Sequence, residues 1–107
     1  MDLYQELGKA VQDNISGKWE KATVKIESSL NKMCSFQAEY TLSSFEKKEL
    51  KFPLLTVNTL MDSVFALQAS MSPEHKWNKA IYTLEKNGHF DMTFEWDQTL
   101  QDEWDNA

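Results

Sequence analysis

Four stretches of this chain alternate apolar and polar residues with a period of two, and this pattern constrains the fold more than any other feature of the sequence. Residues 19–28 and 34–42 form one alternating pair, and residues 77–85 and 89–97 form a second. Alternation of this length is typical of a strand that buries one face and exposes the other. We therefore expect two β-hairpins whose apolar faces need a covering layer.

The first hairpin has its apolar residues at even-numbered positions in both strands. Residues that face each other must then have numbers with an even sum, for instance Val24 opposite Phe36. That parity requires a loop with an odd number of residues, such as Ser29 to Asn31.

The second hairpin contains Asn87-Gly88, a dipeptide that usually indicates a two-residue turn. Such a turn would set Leu84 opposite Asp91 and mix apolar with acidic side chains on one face. A loop of three residues, 86–88, instead sets Leu84 opposite Phe90, so we predict a type I turn with a bulge at Gly88. The same register pairs Tyr82 with Met92 and Ala80 with Phe94.

Two amphipathic helices are predicted to cover these strands. Residues 3–15 carry apolar residues at spacings of three and four, and Asp2 with Gln5 forms a capping pattern. Pro53 suits the first turn of a second helix, which ends near Ser70. Residues 47–52 are compatible with a short strand at a sheet edge, where lysines are common, with Leu50 and Phe52 pointing inward.

The fold class predicted from these elements is a two-layer α+β domain, with two helices on one face of an antiparallel sheet, in the order α-β-β-(β)-α-β-β. Residues 1–97 are expected to form this single domain, and residues 98–107 to be an acidic C-terminal tail or one short turn of helix around Leu100 and Trp104. Trp96 continues the apolar set of its strand and is expected in the core. The other side chains expected to be buried are Val24, Phe36, Leu60, Val64, Tyr82 and Phe94.

The negative charge of the chain is concentrated at its C-terminal end. The sequence has 17 acids, 11 lysines and no arginine, for a net charge of -6. Residues 91–107 hold six acids and no lysine, whereas residues 1–90 hold 11 of each sign. This distribution disfavours a nucleic-acid binder, which needs basic charge to replace phosphate counterions. It is compatible with a basic partner, although runs of like charge are more often solvated, as in an acidic tail.

The sequence offers little catalytic chemistry. A single cysteine excludes a zinc site built from several thiolates, and Cys34 lies on the apolar face of its strand, as a packed thiol does. We expect no cofactor, no metal and no catalytic residue. The alternative is a small enzyme or metal-binding domain that uses His75, His89 and the carboxylates of the last strand, Asp91, Glu95 and Asp97.

Three features of the sequence predict the cellular compartment of the protein. No run approaches the roughly 18 apolar residues of a membrane helix. The first ten residues lack the basic start and apolar stretch of a secretory signal. One cysteine forms no internal disulfide, so nothing requires an oxidising environment. We therefore expect a cytoplasmic protein.

Two stretches that together span about half of the chain resemble a known family. The first is LYQELGKAVQDNISGKWEKATVKIE, where a helix that contains Leu-Tyr ends shortly before Trp19. The second is HKWNKAIYTLEKNGHFDMTFEWD, a hairpin whose matching positions are Trp77, Gly88, Phe90, Phe94 and Asp97. Both resemble the YezG-like immunity (antitoxin) proteins of bacterial polymorphic toxin and contact-dependent inhibition systems. The second strand departs from that family, since its only aromatic residues are Phe36 and Tyr40.

The resemblance implies an immunity protein that binds and neutralises the toxin domain of its own system in the cytosol, without turnover. Many such toxins are nucleases with basic clefts, so the expected partner has a basic surface. A chaperone or adaptor subunit is a third hypothesis beside the enzyme. The candidate toxin-binding residues are Asp91, Glu95, Asp97, Asp102, Glu103, Trp104 and Asp105.

Two points of this hypothesis stay open at the level of sequence. Trp104, which lies among acids, is either an interface anchor or a side chain that packs back on the domain. If the acidic end is not the interface, the remaining candidates are the polar sheet face around Gln37, Glu39 and Thr41, and the loop over 43–51.

Overall fold

A computed structural model describes residues 2–15, 17–29 and 33–106 of the chain. Its five strands form one antiparallel sheet in the order β3-β2-β1-β4-β5. The α+β class is as predicted, and β3 is the expected edge strand. The elements are α1 (Leu3–Asn14), β1 (Trp19–Ser28), β2 (Cys34–Leu42), β3 (Lys47–Leu50), α2 (Leu54–Ala69), a 3-10 turn (Pro73–His75), β4 (Lys79–Glu85), β5 (Phe90–Glu95) and α3 (Gln98–Asp105).

In the hairpin of β1 and β2, facing residues have numbers with an even sum, as predicted. The example pair, Val24 with Phe36, is not the one observed. Ile26 lies opposite Phe36, and Val24 lies opposite Ala38, two residues beyond its predicted partner. The backbone N–H of Ser29 donates to the carbonyl of Met33 at 2.9 Å, which closes the hairpin. Most of the predicted loop lies outside the described residues.

The hairpin of β4 and β5 has the predicted register at every predicted pair, with Leu84 opposite Phe90. Its loop is also as predicted, because Gly88 donates its N–H to the carbonyl of Glu85 at 2.9 Å and adopts a φ of 92°. A left-handed φ of this kind is readily available only to glycine. The loop therefore contains three residues rather than the two that Asn-Gly usually indicates.

The core lies between the sheet and the two helices α1 and α2. The capping box of α1 is present, since Asp2 accepts from the N–H of Gln5 at 2.9 Å and Gln5 accepts from Asp2. Pro53 is the residue before α2 rather than part of its first turn. Buried apolar side chains of the helices meet the even-numbered side chains of the strands and Trp77, which precedes β4. The core comprises Leu3, Leu7, Ala10, Val11, Ala22, Val24, Ile26, Ala38, Leu50, Leu60, Val64, Trp77, Ala80, Tyr82 and Leu84.

Gly8 explains how closely α1 lies on this sheet. A Cβ atom at Gly8 would come within 3.3 Å of the Tyr82 hydroxyl oxygen. Glycine inside a helix costs about 1 kcal/mol relative to alanine. The chain accepts that cost here because α1 passes directly over the Tyr82 side chain.

A buried polar contact joins α2 to the end of the sheet. Gln68 is 5% exposed and accepts from the Ser28 hydroxyl at 2.7 Å. Its amide nitrogen donates to the carbonyl of Trp77 at 3.0 Å. The end of α2, the end of β1 and the segment before β4 are therefore held together by one side chain.

Burial along β5 differs from the prediction. Phe94 is 42% exposed and Phe90 is 48% exposed, although both point toward the helix layer. Trp96 is half-buried beyond the end of the strand, where Lys76 lies 4.2 Å from its ring centroid. The alternation predicted the side to which these rings point, but α1 and α2 lie over the more central strands and cover β5 only in part. Phe36 is also only half-buried, whereas Val24, Leu60, Val64 and Tyr82 are buried as predicted.

The other face of the sheet is open. Its odd-numbered side chains are exposed or half-buried, and Ile81, near the middle, is 43% exposed. None of the helices in the described ranges is long and apolar enough to cross a membrane.

Candidate interaction surface

The acidic residues predicted to bind a partner fall on two consecutive elements, strand β5 and helix α3. Asp91 and Glu95 are exposed on the open face of the sheet, four residues apart, which is about 13 Å along a strand. Within the described ranges, neither carboxylate forms an ion pair. Both are therefore available to a partner molecule.

Asp97 has a different position from the one predicted. The strand ends at Glu95, so Asp97 does not continue its polar face. Its carboxylate accepts from the N–H of Leu100 at 3.0 Å as the cap of α3, and lies 3.5 Å from the ammonium of Lys79. The Leu100 N–H and the Lys79 ammonium together lower the pKa of Asp97 below its usual value. Asp97 is occupied by contacts inside the protein, so we remove it from the partner-binding set.

Asn78 holds the start of α3 against the sheet. This buried side chain accepts from the backbone N–H of Asp97 at 2.8 Å and donates to its carbonyl at 2.9 Å. The amide thus pairs with Asp97 as a neighbouring strand residue would. Sequence reasoning missed this contact because nothing marks which asparagine of a chain is buried.

Residues 98–105 form helix α3, two turns where the sequence predicted a tail or one turn. Its last turn carries three exposed acids, Asp102, Glu103 and Asp105. Gln98 donates to Asp102 at 2.9 Å, and Gln101 donates to Asp105 at 3.1 Å. These partners are amides and not cations, so they leave the negative charge of the turn uncompensated.

Trp104 lies on the other side of α3 and is half-buried, as is Leu100 one turn earlier. Gln101, between them, is 8% exposed. This face packs against the protein, which agrees with the interpretation that Trp104 folds back on the domain. The spacing of four residues from Leu100 to Trp104 and the capping residue Asp97 are the sequence signals of this short helix.

His75 and His89 do not share a site. His75 is in the 3-10 turn before β4 and lies 3.0 Å from the Ser72 hydroxyl through Nδ1, whereas His89 follows the loop at the far end of β4. The seven residues of β4 separate the two ends of the hairpin by about 20 Å. No group of three histidine, cysteine or acidic side chains among the described residues is placed to hold a metal ion.

Cys34 is half-buried beside the core, and burial raises the pKa of its thiol to about 12. The nucleophilic form of cysteine is the thiolate, which is scarce at neutral pH for such a group. The structure therefore agrees with a packed thiol.

The exposed ring of Phe94 borders a cleft that sequence reasoning missed. The Trp77 and Phe94 ring centroids are 5.0 Å apart, and Tyr4 lies 5.8 Å from Phe90. A cleft of about 410 Å³ opens beside Phe94. The cleft lies between the start of α1, the end of α2 and the turn before β4. Its lining is mixed and comprises Tyr4, Leu67, Ser70, Met71, His75, Lys76, Trp77 and Phe94.

A second exposed aromatic, Phe45, lies in the loop between β2 and β3. This loop is the first part of the segment 43–51 that was an alternative interface, and the rest of that segment is mainly strand β3. Phe45 is 84% exposed and has a φ of 69°. Its N–H donates to the carbonyl of Leu42 at 2.8 Å, so it occupies the position that Gly88 has in the other hairpin. A bulky residue in this region of φ is strained.

The polar sheet face, the other alternative interface, carries charges of both signs. Gln37 lies opposite Lys25, and Glu39 lies between Thr23 and Glu49. Such a mixed face has no dominant charge with which to attract a basic surface.

The chain matches no protein-family model and no curated protein sequence.

Proposed function

We propose that the protein neutralises a bacterial toxin domain by binding it directly, without turnover, as its resemblance to the YezG-like immunity proteins implies. The proposal places the contact on the acidic end formed by Asp91 and Glu95 of β5 and by Asp102, Glu103 and Asp105 of α3. In this proposal the protein acts in the cytoplasm, where such a toxin acts.

The observation that carries the proposal is the charge of the last turn of α3. The C-terminal end of a helix is its negative pole, and an acid there costs about 0.3–1 kcal/mol at low ionic strength. Three acids occupy this turn, and it holds no basic residue. Folding alone does not favour this arrangement, whereas a cationic surface that approaches the turn would relieve the repulsion. The charge is therefore better explained by association than by stability.

Electrostatic attraction of this kind acts mainly on the rate of encounter. The first 90 residues are neutral by count, so the acidic end dominates the field that a basic partner meets. Many toxins of this class cleave nucleic acid and have basic clefts, which fit such a surface.

The test is a toxicity-rescue assay with the protein encoded by the neighbouring gene, followed by titration of the purified pair. We expect co-expression to restore growth, and inhibition in vitro to end at one equivalent of protein per toxin. Complete inactivation by a small fraction of an equivalent would indicate turnover and would support the enzyme hypothesis. The variant H75A/H89A should still protect, because neither histidine belongs to the proposed surface.

A charge variant tests the position of the contact. D102N/E103Q/D105N should slow association at low salt about tenfold, and the difference should shrink as salt screens the charges. The matched control E46Q/D62N/E74Q changes the net charge equally at exposed positions elsewhere. Equal association rates for the two variants would move the interface away from the acidic end.

A further inference from the structure

Strand β5 ends the sheet, and none of the described strands pairs with its outer edge. It is the last strand in the order, and five of its six residues are exposed. Edge strands of native proteins are commonly blunted by charged side chains, lysine above all, by proline or by a bulge. The sequence FDMTFE has neither lysine nor proline, its only charges are two acids, and its pairing with β4 is regular along its length.

The hydrogen bonds around β4 determine which backbone groups of β5 face outward. The backbone N–H of Ser28 donates to the carbonyl of Asn78, and that of Lys86 donates to the carbonyl of Glu20. The backbone N–H and C=O groups of the even-numbered residues of β4 therefore face β1. Those of its odd-numbered residues face β5, in agreement with the hydrogen bond from the N–H of Glu85 to the carbonyl of His89. Since the ladder alternates, the outward N–H and C=O groups of β5 belong to Phe90, Met92 and Phe94.

The two faces of this edge differ in chemistry. On the helix side lie the partly exposed rings of Phe90 and Phe94. On the open side lie the carboxylates of Asp91 and Glu95. The lysine opposite Glu95, Lys79, is already paired with Asp97. A strand beside β5 would thus meet apolar surface on one face and unneutralised negative charge on the other.

We propose that β5 is the docking edge for an extended segment of the partner in which apolar and basic residues alternate, and that this segment adds to the sheet as a sixth strand. The inference rests on the proposed function and names the part of the protein that engages the partner. Main-chain hydrogen bonds to Phe90, Met92 and Phe94 provide affinity, as in other cases of strand addition. Lysine or arginine on the open side lies about 5 Å from Asp91 and Glu95 between Cβ atoms, within reach of an ion pair.

Charge favours this occupant over a second copy of the chain. Pairing of β5 with its own copy would bring the carboxylates of two β5 strands together across one seam, between molecules that each carry a net charge of -6. A basic segment removes that repulsion. A second copy is nevertheless one of the outcomes that the test distinguishes.

The probe is a capped nonapeptide of alternating valine and lysine, and the control peptide has glutamate in place of lysine. Titration into the isotopically labelled protein should shift the backbone amide signals of β5 and slow hydrogen exchange at Phe90, Met92 and Phe94. The lysine peptide should bind at least tenfold more tightly than the glutamate peptide. Equal binding of the two peptides, or shifts confined to another part of the protein, would overturn the proposal.

Two variants separate edge pairing from general attraction. Met92→Pro removes an outward N–H and leaves the hydrogen bonds to β4, so it should weaken lysine-peptide binding at least tenfold. Asp91→Lys with Glu95→Lys keeps the backbone and should reverse the preference in favour of the glutamate peptide, whereas the control Glu46→Lys with Asp62→Lys should not. If the protein instead forms a dimer that Met92→Pro dissociates, the occupant is a second copy and the proposed partner segment is wrong.

The rescue assay keeps this inference distinct from the proposed function. A folded Met92→Pro variant that still binds the toxin and protects the cell rejects the docking edge but retains the immunity function. Wild-type protein that binds the lysine peptide in the predicted manner, yet gives no protection, rejects the immunity function and retains the edge.

Discussion

The two edges of the sheet are constructed in different ways. Strand β3 has four residues, two of them lysines, and Leu50 anchors it in the core at 5% exposure. Strand β5 has six residues without lysine, and its Phe94 is 42% exposed. Both edges carry charged side chains, which discourage strand addition, but the charges differ in sign. Lysines would repel a basic strand at β3, whereas the carboxylates of β5 would attract one.

The largest expected contrast is between the apolar side chains of the two edges. Leu50→Ala should destabilise the protein by about 2–5 kcal/mol, because it empties a buried site. Phe94→Ala should cost only about 1–2 kcal/mol, because nearly half of the ring is already in water and the full loss applies to buried rings. Urea unfolding of both variants measures the difference. A loss at Phe94 equal to that at Leu50 would mean that β5 is covered like the central strands.

The loops that lead into the two edges give the next contrast. Gly88→Ala should destabilise by about 1–2 kcal/mol, because the left-handed backbone disfavours a side chain. No atom lies within 4 Å of the new Cβ, so the cost comes from the backbone alone. Phe45→Gly should stabilise by about 0.5 kcal/mol, since the relief of strain exceeds the entropy that glycine adds to the unfolded chain. Thermal unfolding measures both, and a destabilised Phe45→Gly would show that the exposed ring contributes packing.

The acids that follow β5 should be unfavourable for the free protein. D102N/E103Q/D105N should raise the free energy of unfolding by about 0.3–1 kcal/mol per residue at low salt, because the helix dipole disfavours these charges. E46Q/D62N/E74Q again serves as the control for net charge, since none of its positions is in the last turn of an α-helix. Melting temperatures at low and high salt check this. If the control variant gained as much stability, the effect would come from overall charge and not from the helix dipole.

The smallest expected effect is the pH dependence that Asp97 contributes beside β5. Its pKa is lower in the folded protein than in the unfolded chain, where aspartate titrates at about 4. The stabilisation is therefore complete above about pH 4 and is lost as the pH falls through the folded pKa. Asp97→Asn should lose less stability than wild type between pH 6 and pH 3 in urea unfolding. Lys79→Gln should show part of the same change, and identical pH profiles for all three proteins would contradict the role of Asp97.

Local patterns in the sequence predicted the strands and the second loop well. The ends of β1 and β2 are at the predicted residues, and the position of Gly88 determined the register of β4 with β5. These features depend on neighbouring residues, through side-chain alternation and turn conformation. The strained Phe45 has no such local signal, because its loop closes without the glycine that usually marks the position.

The candidate site was predicted less completely because it depends on tertiary structure. Alternation indicates the face to which Phe94 points, but only the position of the helices determines how much of it is covered. The chain also leaves β5 at Trp96, where the buried Asn78 binds the backbone of Asp97 and α3 begins. That contact joins residues 19 apart and changes Asp97 from a surface acid to a helix cap.

The strand order has a consequence for how the protein reaches this structure. Each hairpin pairs residues close in sequence, but β1 and β4 pair Ile26 with Ala80 across the whole of α2. Closing so long a loop costs entropy before the pairing contributes any contacts. The two hairpins are thus suited to form early, with the joining of β1 to β4 as the slow step. Until that step, β1 and β4 each expose an unpaired edge, and such edges make a partly folded chain prone to aggregation.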